Sequence, residues 1–333
     1  MILNPAIIAL VSNAWLISAV TLAAAVLGFR IIRRWDLNST AGLQLAMERQ
    51  TYLISSVLTY LLIFELLSLF LFAFTADRLH SLFIGAMCAA GSLNVNAYGY
   101  PALQLKLVNC LLCGIWLIVN HVDQQGEDYP LIRFKYRFLT VIAGLLVLES
   151  YLLTQYFRHM RADVITSCCG TLFSEDTTSV AGVMAGLPPY PAMIAFYASM
   201  ALTLRTGIHF LVTGRAIRWF SGFSVVSLAA ALVAIISFIS VYIYQLPTHH
   251  CPFDILQHEY LYVGYPLYLC LLTAGIGGAG AGVIDRFRQH ASLAAVIPRV
   301  QKKLCLGSLV AYIIFLMISG YPIVFTDYTL SGY

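Results

Sequence analysis

The sequence predicts an all-α, polytopic integral membrane protein with about eight transmembrane helices and both termini on the exoplasmic side. Three observations support this fold class. Hydrophobic residues make up 60% of the 333 positions and charged residues only 10%, whereas a soluble domain is about half apolar and a quarter charged. Many apolar runs reach the length of about 20 residues that crosses a bilayer. Lys and Arg are also unevenly distributed between alternate loops.

The apolar runs divide the chain into spans within a single transmembrane domain, 1–333. The N-terminal run has no basic segment before it, which indicates a first span rather than a cleavable signal. The predicted spans are 6–29, 52–75, 103–121, 138–157, 192–213, 221–244, 261–283 and 304–321. Three ordered exoplasmic loops are expected at 76–102, 158–191 and 245–260.

The distribution of basic residues predicts the orientation, because cytoplasmic loops are enriched in Lys and Arg. One set of loops contains fourteen basic residues, including the clusters near 30–34, 133–137 and 286–303. The opposite set contains four, at Arg78, Lys106, Arg158 and Arg161. The second set is therefore expected outside, in a multi-pass protein of the cell (inner) membrane.

The cysteines separate by side under this topology. Cys88, Cys168, Cys169 and Cys251 lie in the exoplasmic loops, and the other four lie within spans. Disulfides persist in oxidising compartments. One hypothesis is therefore a structural staple, in which Cys88 and Cys251 each bond to one member of the vicinal pair.

A second hypothesis assigns redox chemistry to the same cysteines, Cys251, Cys168, Cys169 and Cys88. A bridge between neighbouring cysteines is strained, and strained bridges are easier to reduce. Cys251 directly follows two histidines, which favour the reactive thiolate. Asp254 stands where a CPxC motif has its second cysteine, so a resolving thiol must come from another loop.

A metal site is the third possibility for these loops, with His249, His250 and Cys251 as the expected ligands. Imidazole and thiolate suit copper or zinc. The spacing matches no paired CxxC signature. The expected cofactor is accordingly either a metal ion or a quinone that exchanges electrons with the site.

Ionisable residues within spans are costly, and each is a hypothesis about function. Glu65 and Arg205 are placed mid-span and could form an ion pair, while Glu65 and Glu149 could relay protons. Cys110 and Cys113 form a CxxC on the third span, for which helix packing is favoured over a redox role.

Three functions follow from these patterns. The first is a redox-linked membrane protein that uses the exoplasmic Cys/His cluster, with a quinone or a periplasmic partner. The alternative is a non-catalytic anchor or scaffold subunit, with structural disulfides and other subunits on its exoplasmic face. The third is a transporter. The sequence shows no nucleic-acid patch, and the lipid bilayer is the expected environment. Gly278 and Gly282 form a GxxxG motif, which predicts close helix packing in lipid.

Overall fold

A computed structural model describes residues 4–35, 42–126, 128–161, 164–166, 187–247 and 249–328 of the chain. These residues form helices and connecting loops, with no strand in any of the ranges. Eight of the helical segments are long and apolar enough to cross a membrane. The all-α prediction is confirmed, and the architecture is that of a multi-pass membrane protein.

Ten α-helices follow one another in the described chain. They are α1 (Pro5–Arg34), α2 (Gly42–Leu79), α3 (Ala89–Leu93), α4 (Gly99–Asp123), α5 (Ile132–Arg158), α6 (Pro189–Thr213), α7 (Ile217–Ala234), α8 (Ser240–Tyr244), α9 (Gly264–Asp285) and α10 (Val296–Phe325). A π-helical turn, Ile235–Ile239, joins α7 to α8 so that the two form one span. The short helix α3 lies in the loop between α2 and α4.

Several helices extend beyond the predicted spans, because the polar residues that flank those spans have good helix propensity. The sequence analysis starts the second span at residue 52, whereas α2 begins at Gly42. The intervening segment, LQLAMERQ, contains strong helix formers and no helix breaker. At the N-terminus, the Asn4 side chain caps α1 by accepting a hydrogen bond from the Ala6 amide at 3.0 Å.

The chain divides into two compact units. Unit 1 consists of residues 1–72, 96–160 and 283–301, and unit 2 of residues 73–95, 161–282 and 302–333. Sequence patterns gave no indication of this division, since three helices (α2, α9 and α10) contribute to both units.

Unit 1 is built around α1, α4 and α5. Its core contains the large buried side chains Trp116 and Tyr136. The Trp116 indole donates a hydrogen bond to the Lys135 carbonyl at 3.1 Å, and the Lys135 ammonium pairs with Asp123 at 2.5 Å. Both partners of this ion pair are fully buried. Lys135 therefore belongs to the core and not to the basic loop in which the topology argument placed it. The predicted cytoplasmic loops lose only one basic residue from their large excess.

Unit 2 confirms the packing predicted for the GxxxG motif. A methyl group at Gly278 would meet the Ser224 side chain, and one at Gly282 would meet Ser221. Absence of Cβ atoms thus lets α9 approach α7 closely. The Tyr312 hydroxyl of α10 reaches the same contact and donates to the Ser224 carbonyl at 2.7 Å.

Candidate functional site

Two cysteines from distant parts of the sequence meet in unit 2. Cys88 directly precedes α3, all of whose residues are buried. Cys251 lies in the loop that follows α8. Both side chains are fully buried, and their Sγ atoms are 3.5 Å apart. An S–S bond measures about 2.05 Å, so a movement of about 1.5 Å would bring the sulfurs to bonding distance.

A carboxylate and an imidazole extend from this thiol pair. The Cys251 Sγ donates to Oδ1 of Asp254 at 3.3 Å, and Oδ2 of Asp254 lies 2.5 Å from Nε2 of His249. A carboxylate accepts hydrogen bonds, so Nε2 of His249 carries the hydrogen in this contact. The arrangement provides a path by which the Cys251 proton can leave through Asp254.

The backbone around Cys251 adds a donor to its sulfur. The Phe253 amide points at Cys251 Sγ at 3.4 Å. Hydrogen bonds to the charged form of a group favour that form, and this amide therefore favours the thiolate. The buried Tyr244 hydroxyl holds the turn by donating to the Cys251 carbonyl at 2.6 Å and accepting from the Ile255 amide at 2.9 Å.

Gln257 ties the two cysteine loops together. Its side-chain amide donates to Oδ1 of Asp77 and to the carbonyl of Met87, both at 2.9 Å. Met87 is the residue before Cys88, so this brace fixes one cysteine loop against the other. A backbone hydrogen bond of 3.0 Å from Thr166 to the Ile84 carbonyl holds the first loop from its other end.

His250 is directed away from the thiol pair. Its Nδ1 lies 2.9 Å from the carbonyl of Ile236, which belongs to the π-helical turn. Because a carbonyl only accepts, Nδ1 carries the hydrogen here. Of the three residues predicted as metal ligands, Cys251 lies in the cluster, His249 contacts it through Asp254, and His250 contacts the π-helical turn.

Cys88, Cys251 and Asp254 have a geometry that suits a metal ion. Their donor atoms lie within 4.8 Å of one another. With Zn–S distances of about 2.3 Å and Zn–O distances of about 2.1 Å, a tetrahedral site has edges of about 3.8 Å between sulfurs and about 3.6 Å between sulfur and oxygen. The observed separations of 3.5 Å and 3.3 Å are close to these edges.

Tyr260 lies beside this cluster, with its ring 4.7 Å from that of Tyr244. Burial, followed by the negative charge of Asp254, raises the pKa of the Tyr260 phenol above its ordinary value. Tyr260 therefore stays neutral near pH 7.

Cys168 and Cys169 lie outside the described residues, and their predicted bonds to Cys88 and Cys251 stay predictions. Two of the four span cysteines, Cys110 and Cys113, are buried on α4. Cys305 is buried in the core of unit 2.

Unit 1 contains a second polar cluster, inside the membrane-spanning helices. The Lys106 ammonium contacts Glu65 at 2.9 Å, Glu149 at 2.6 Å and the Ser68 hydroxyl at 2.7 Å. Asn109 donates to the second oxygen of Glu149 at 2.6 Å. Glu65 and Glu149, which the sequence placed in separate spans, are thus joined through one lysine.

The cation found at Glu65 differs from the one that the sequence suggested. Arg205 was the expected partner, because it was the only Arg or Lys placed mid-span, whereas Lys106 was assigned to a loop end. In the structure, α4 begins at Gly99 and carries Lys106 into the buried interior. Arg205 is exposed on α6 and lines a surface groove with His209.

Sequence reasoning missed the roles of Asp254, Gln257 and Lys106. The spacing from Cys251 to Asp254 was a usable signal, because a turn brings residue i+3 back to residue i. The contact of Cys88 with Cys251 has no local signal, since 163 positions separate the two residues.

No protein-family model, curated protein or solved structure matches the chain. Cys88, Cys251 and Asp254 are therefore assigned a role from their own geometry.

Proposed function

We propose that the protein is a redox-linked membrane protein in which Cys88 and Cys251 alternate between a dithiol and a disulfide. The observation that carries this proposal is the 3.5 Å separation of two buried sulfurs beside a carboxylate that accepts a hydrogen bond from Cys251. Thiol–disulfide chemistry needs a thiolate, a second sulfur within reach and a route for the proton. The second sulfur lies 3.5 Å away, and the hydrogen bond to Asp254 supplies a route for the Cys251 proton, whose loss gives the thiolate.

The chemistry is a two-electron oxidation. Asp254 accepts the proton of Cys251, and His249 stabilises the carboxyl group through its other oxygen. The S–S bond forms between Cys88 and Cys251, and two electrons and two protons pass to an acceptor. A quinone acceptor would be reduced to the quinol. A disulfide acceptor on a partner protein would be reduced to a dithiol, so that either reaction balances.

A quinone is the favoured acceptor. Both sulfurs are buried, which hinders approach by a folded protein. Leu82, Ile84 and Met87, on the segment that leads to Cys88, are exposed apolar side chains. Such a surface suits a membrane-soluble reactant. The bias of Lys and Arg supports an exoplasmic position for these loops in the cell (inner) membrane, where a protein partner is the second class of acceptor.

A quinone-reduction assay tests this function. Protein reduced in lipid vesicles is mixed with a short-chain ubiquinone analogue, and quinol and alkylatable thiols are measured. We expect one quinol per protein, loss of the Cys88 and Cys251 thiols, and no reaction in Cys251→Ser or Cys88→Ser. Cys270→Ser, on α9, is the matched control. If a protein disulfide oxidised the cysteine pair and the quinone did not, the acceptor would be a partner protein instead of a quinone. A pair that no oxidant or reductant changes would favour the scaffold function instead.

A metal ion is a second candidate ligand, favoured by the near-tetrahedral spacing of Cys88, Cys251 and Asp254. Zn²⁺ or Cu⁺ would bind only the reduced pair, because an S–S bond removes both thiolates. Native mass spectrometry of reduced protein with added Zn²⁺ should show one tightly bound ion, which Asp254→Asn weakens and Cys270→Ser does not. Equal Zn²⁺ retention by the wild type, Asp254→Asn and Cys270→Ser would exclude this site.

A further inference from the structure

The cluster around Lys106 in unit 1 contains more acid than base. Lys106, Glu65 and Glu149 are each 1% exposed, and they lie on three helices that span the membrane. If all three were ionised, the cluster would carry a net charge of −1. An uncompensated charge costs far more free energy in a membrane interior than in water.

The lysine in this cluster is a cation. Its three hydrogens each have an acceptor, namely Glu65 Oε1, Glu149 Oε1 and the Ser68 hydroxyl, at 2.6 to 2.9 Å. An ammonium group has three donors and no acceptor, so this environment fully satisfies the protonated form. One carboxylate is then compensated by Lys106, and the other needs a further positive charge.

The two glutamates differ in their surroundings. Both oxygens of Glu149 accept hydrogen bonds, from Lys106 and from the Asn109 amide. Oε1 of Glu65 accepts from Lys106, and its buried Oε2 accepts from no donor among the residues that the structure describes, while its carboxyl group also lies close to that of Glu149. The Asn109 Oδ1 is likewise buried without a partner in this part of the chain. Glu149 is therefore suited to the ionised form, and Glu65 has the vacant oxygen.

The ion pair of Lys135 and Asp123 in the same unit is a buried cluster in which positive and negative charge are equal. It contains one cation and one carboxylate, at 2.5 Å, both fully buried. Asp123 Oδ1 accepts from the Leu131 amide at 2.9 Å, and Lys135 also contacts Ser55 at 3.1 Å. Both oxygens are occupied and the charges cancel, so this pair needs no further ligand.

We infer that the Lys106 cluster is a proton-binding site, and that Oε2 of Glu65 carries the exchangeable proton. Binding makes the cluster neutral, and release leaves one negative charge within the bundle. The other titratable groups near Glu65 are Lys106, Cys110 and Cys113 on α4, and Glu149 on α5. Such a site is what a proton-coupled step in transport or electron transfer requires, and it does not depend on the proposed thiol chemistry in unit 2.

Infrared spectroscopy tests this inference directly. Protein in lipid vesicles is titrated with pH, and the C=O stretch of protonated carboxyl groups is followed with ¹³C-labelled glutamate. We expect a band from buried glutamic acid in the wild type at neutral pH that disappears as pH rises. Glu65→Gln should lack the band and fold normally, because glutamine has the shape of the protonated acid. Glu259→Gln, at an exposed glutamate, should keep it.

The following results would overturn the inference. The band could be absent from the wild type at every pH, or survive in Glu65→Gln. It could also be lost only in Glu149→Gln, which would place the proton on the wrong residue. A wild type that lacks the band but requires Na⁺ or K⁺ for thermal stability would show that a metal cation, and not a proton, neutralises the cluster. Circular dichroism of each variant separates these results from unfolding.

Discussion

Asp254 links the thiol pair to His249 through its two carboxylate oxygens. Cys88 and Cys251 alone would be two buried thiols, which are inert when their surroundings are apolar. The Asp254 carboxylate accepts from Cys251 at 3.3 Å and is itself held by His249 at 2.5 Å. In the sequence, Asp254 stands where a CPxC motif has its second cysteine, but the turn that places its carboxylate against Cys251 is a geometry that composition does not encode.

Asp254→Asn should slow the reaction of Cys251 with a small alkylating reagent at neutral pH by about tenfold or more, because asparagine cannot accept the thiol proton. The rate is measured on reduced protein by peptide mass mapping. Glu259→Gln removes an exposed carboxylate a few residues away and should react at the wild-type rate. Equal rates in Asp254→Asn and the wild type would show that Asp254 is not the proton acceptor.

Lys106→Met should be among the most destabilising single changes in unit 1. It leaves the buried Glu149 carboxylate without its cation, and breaking a buried ion pair from one side costs about 3–5 kcal/mol. Unfolding in mixed micelles measures the change in free energy. Lys302→Met, at an exposed lysine, should stay near the wild type. Adding Glu149→Gln to Lys106→Met removes that charge and should recover part of the loss, and no recovery would argue against charge imbalance as the cause.

At the scale of helices, apolar length located the long helices, whereas the exact helix ends and the short elements between them had little local signal. Apolar length identifies a span because the bilayer imposes it, and each predicted span overlaps a helix of the structure. Helix ends were less well predicted, as the early start of α2 at Gly42 shows. The π-helical turn Ile235–Ile239 had no sequence signal, although it orients a carbonyl toward His250.

The glycines of α9 provide a test at this scale. Gly278→Ala should lower the free energy of unfolding by about 1–3 kcal/mol, because the new methyl group overlaps the Ser224 side chain. Gly307→Ala on α10 meets no atom within 4 Å. It should leave stability unchanged or raise it by about 0.5–1 kcal/mol, since alanine favours helix over glycine. The same effect from both substitutions would contradict the close approach of α9 to α7.

At the scale of the whole molecule, composition alone predicted a multi-pass helical membrane protein. It could not predict the division into two units, because α2, α9 and α10 contribute to both and no linker marks a boundary. Composition also could not predict the contact of Cys88 with Cys251, or the contacts of Lys106 with Glu65 and Glu149. Those contacts depend on the tertiary packing of distant segments, which a local pattern does not contain.

Orientation is the prediction that belongs to the whole chain. The basic loops predict that both termini are exoplasmic. Reporter fusions that are active on only one side of the membrane, attached at Met1 and at Tyr333, should both report the exoplasm. A fusion after Arg215, in the basic loop between α6 and α7, is the control and should report the cytoplasm. A cytoplasmic result at either terminus would move the thiol pair to a reducing compartment and remove the basis for stable oxidation there.

Differential alkylation in the native membrane tests the central claim most directly. Thiols are blocked with one reagent, the sample is mildly reduced with and without a chelator, and newly exposed thiols are labelled with a second reagent and mapped by mass spectrometry. The proposed function requires Cys88 and Cys251 to occur as a mixture of dithiol and disulfide that mild reductant and added quinone shift in opposite directions. A pair that keeps one state under both treatments, with or without chelator, would contradict a redox role.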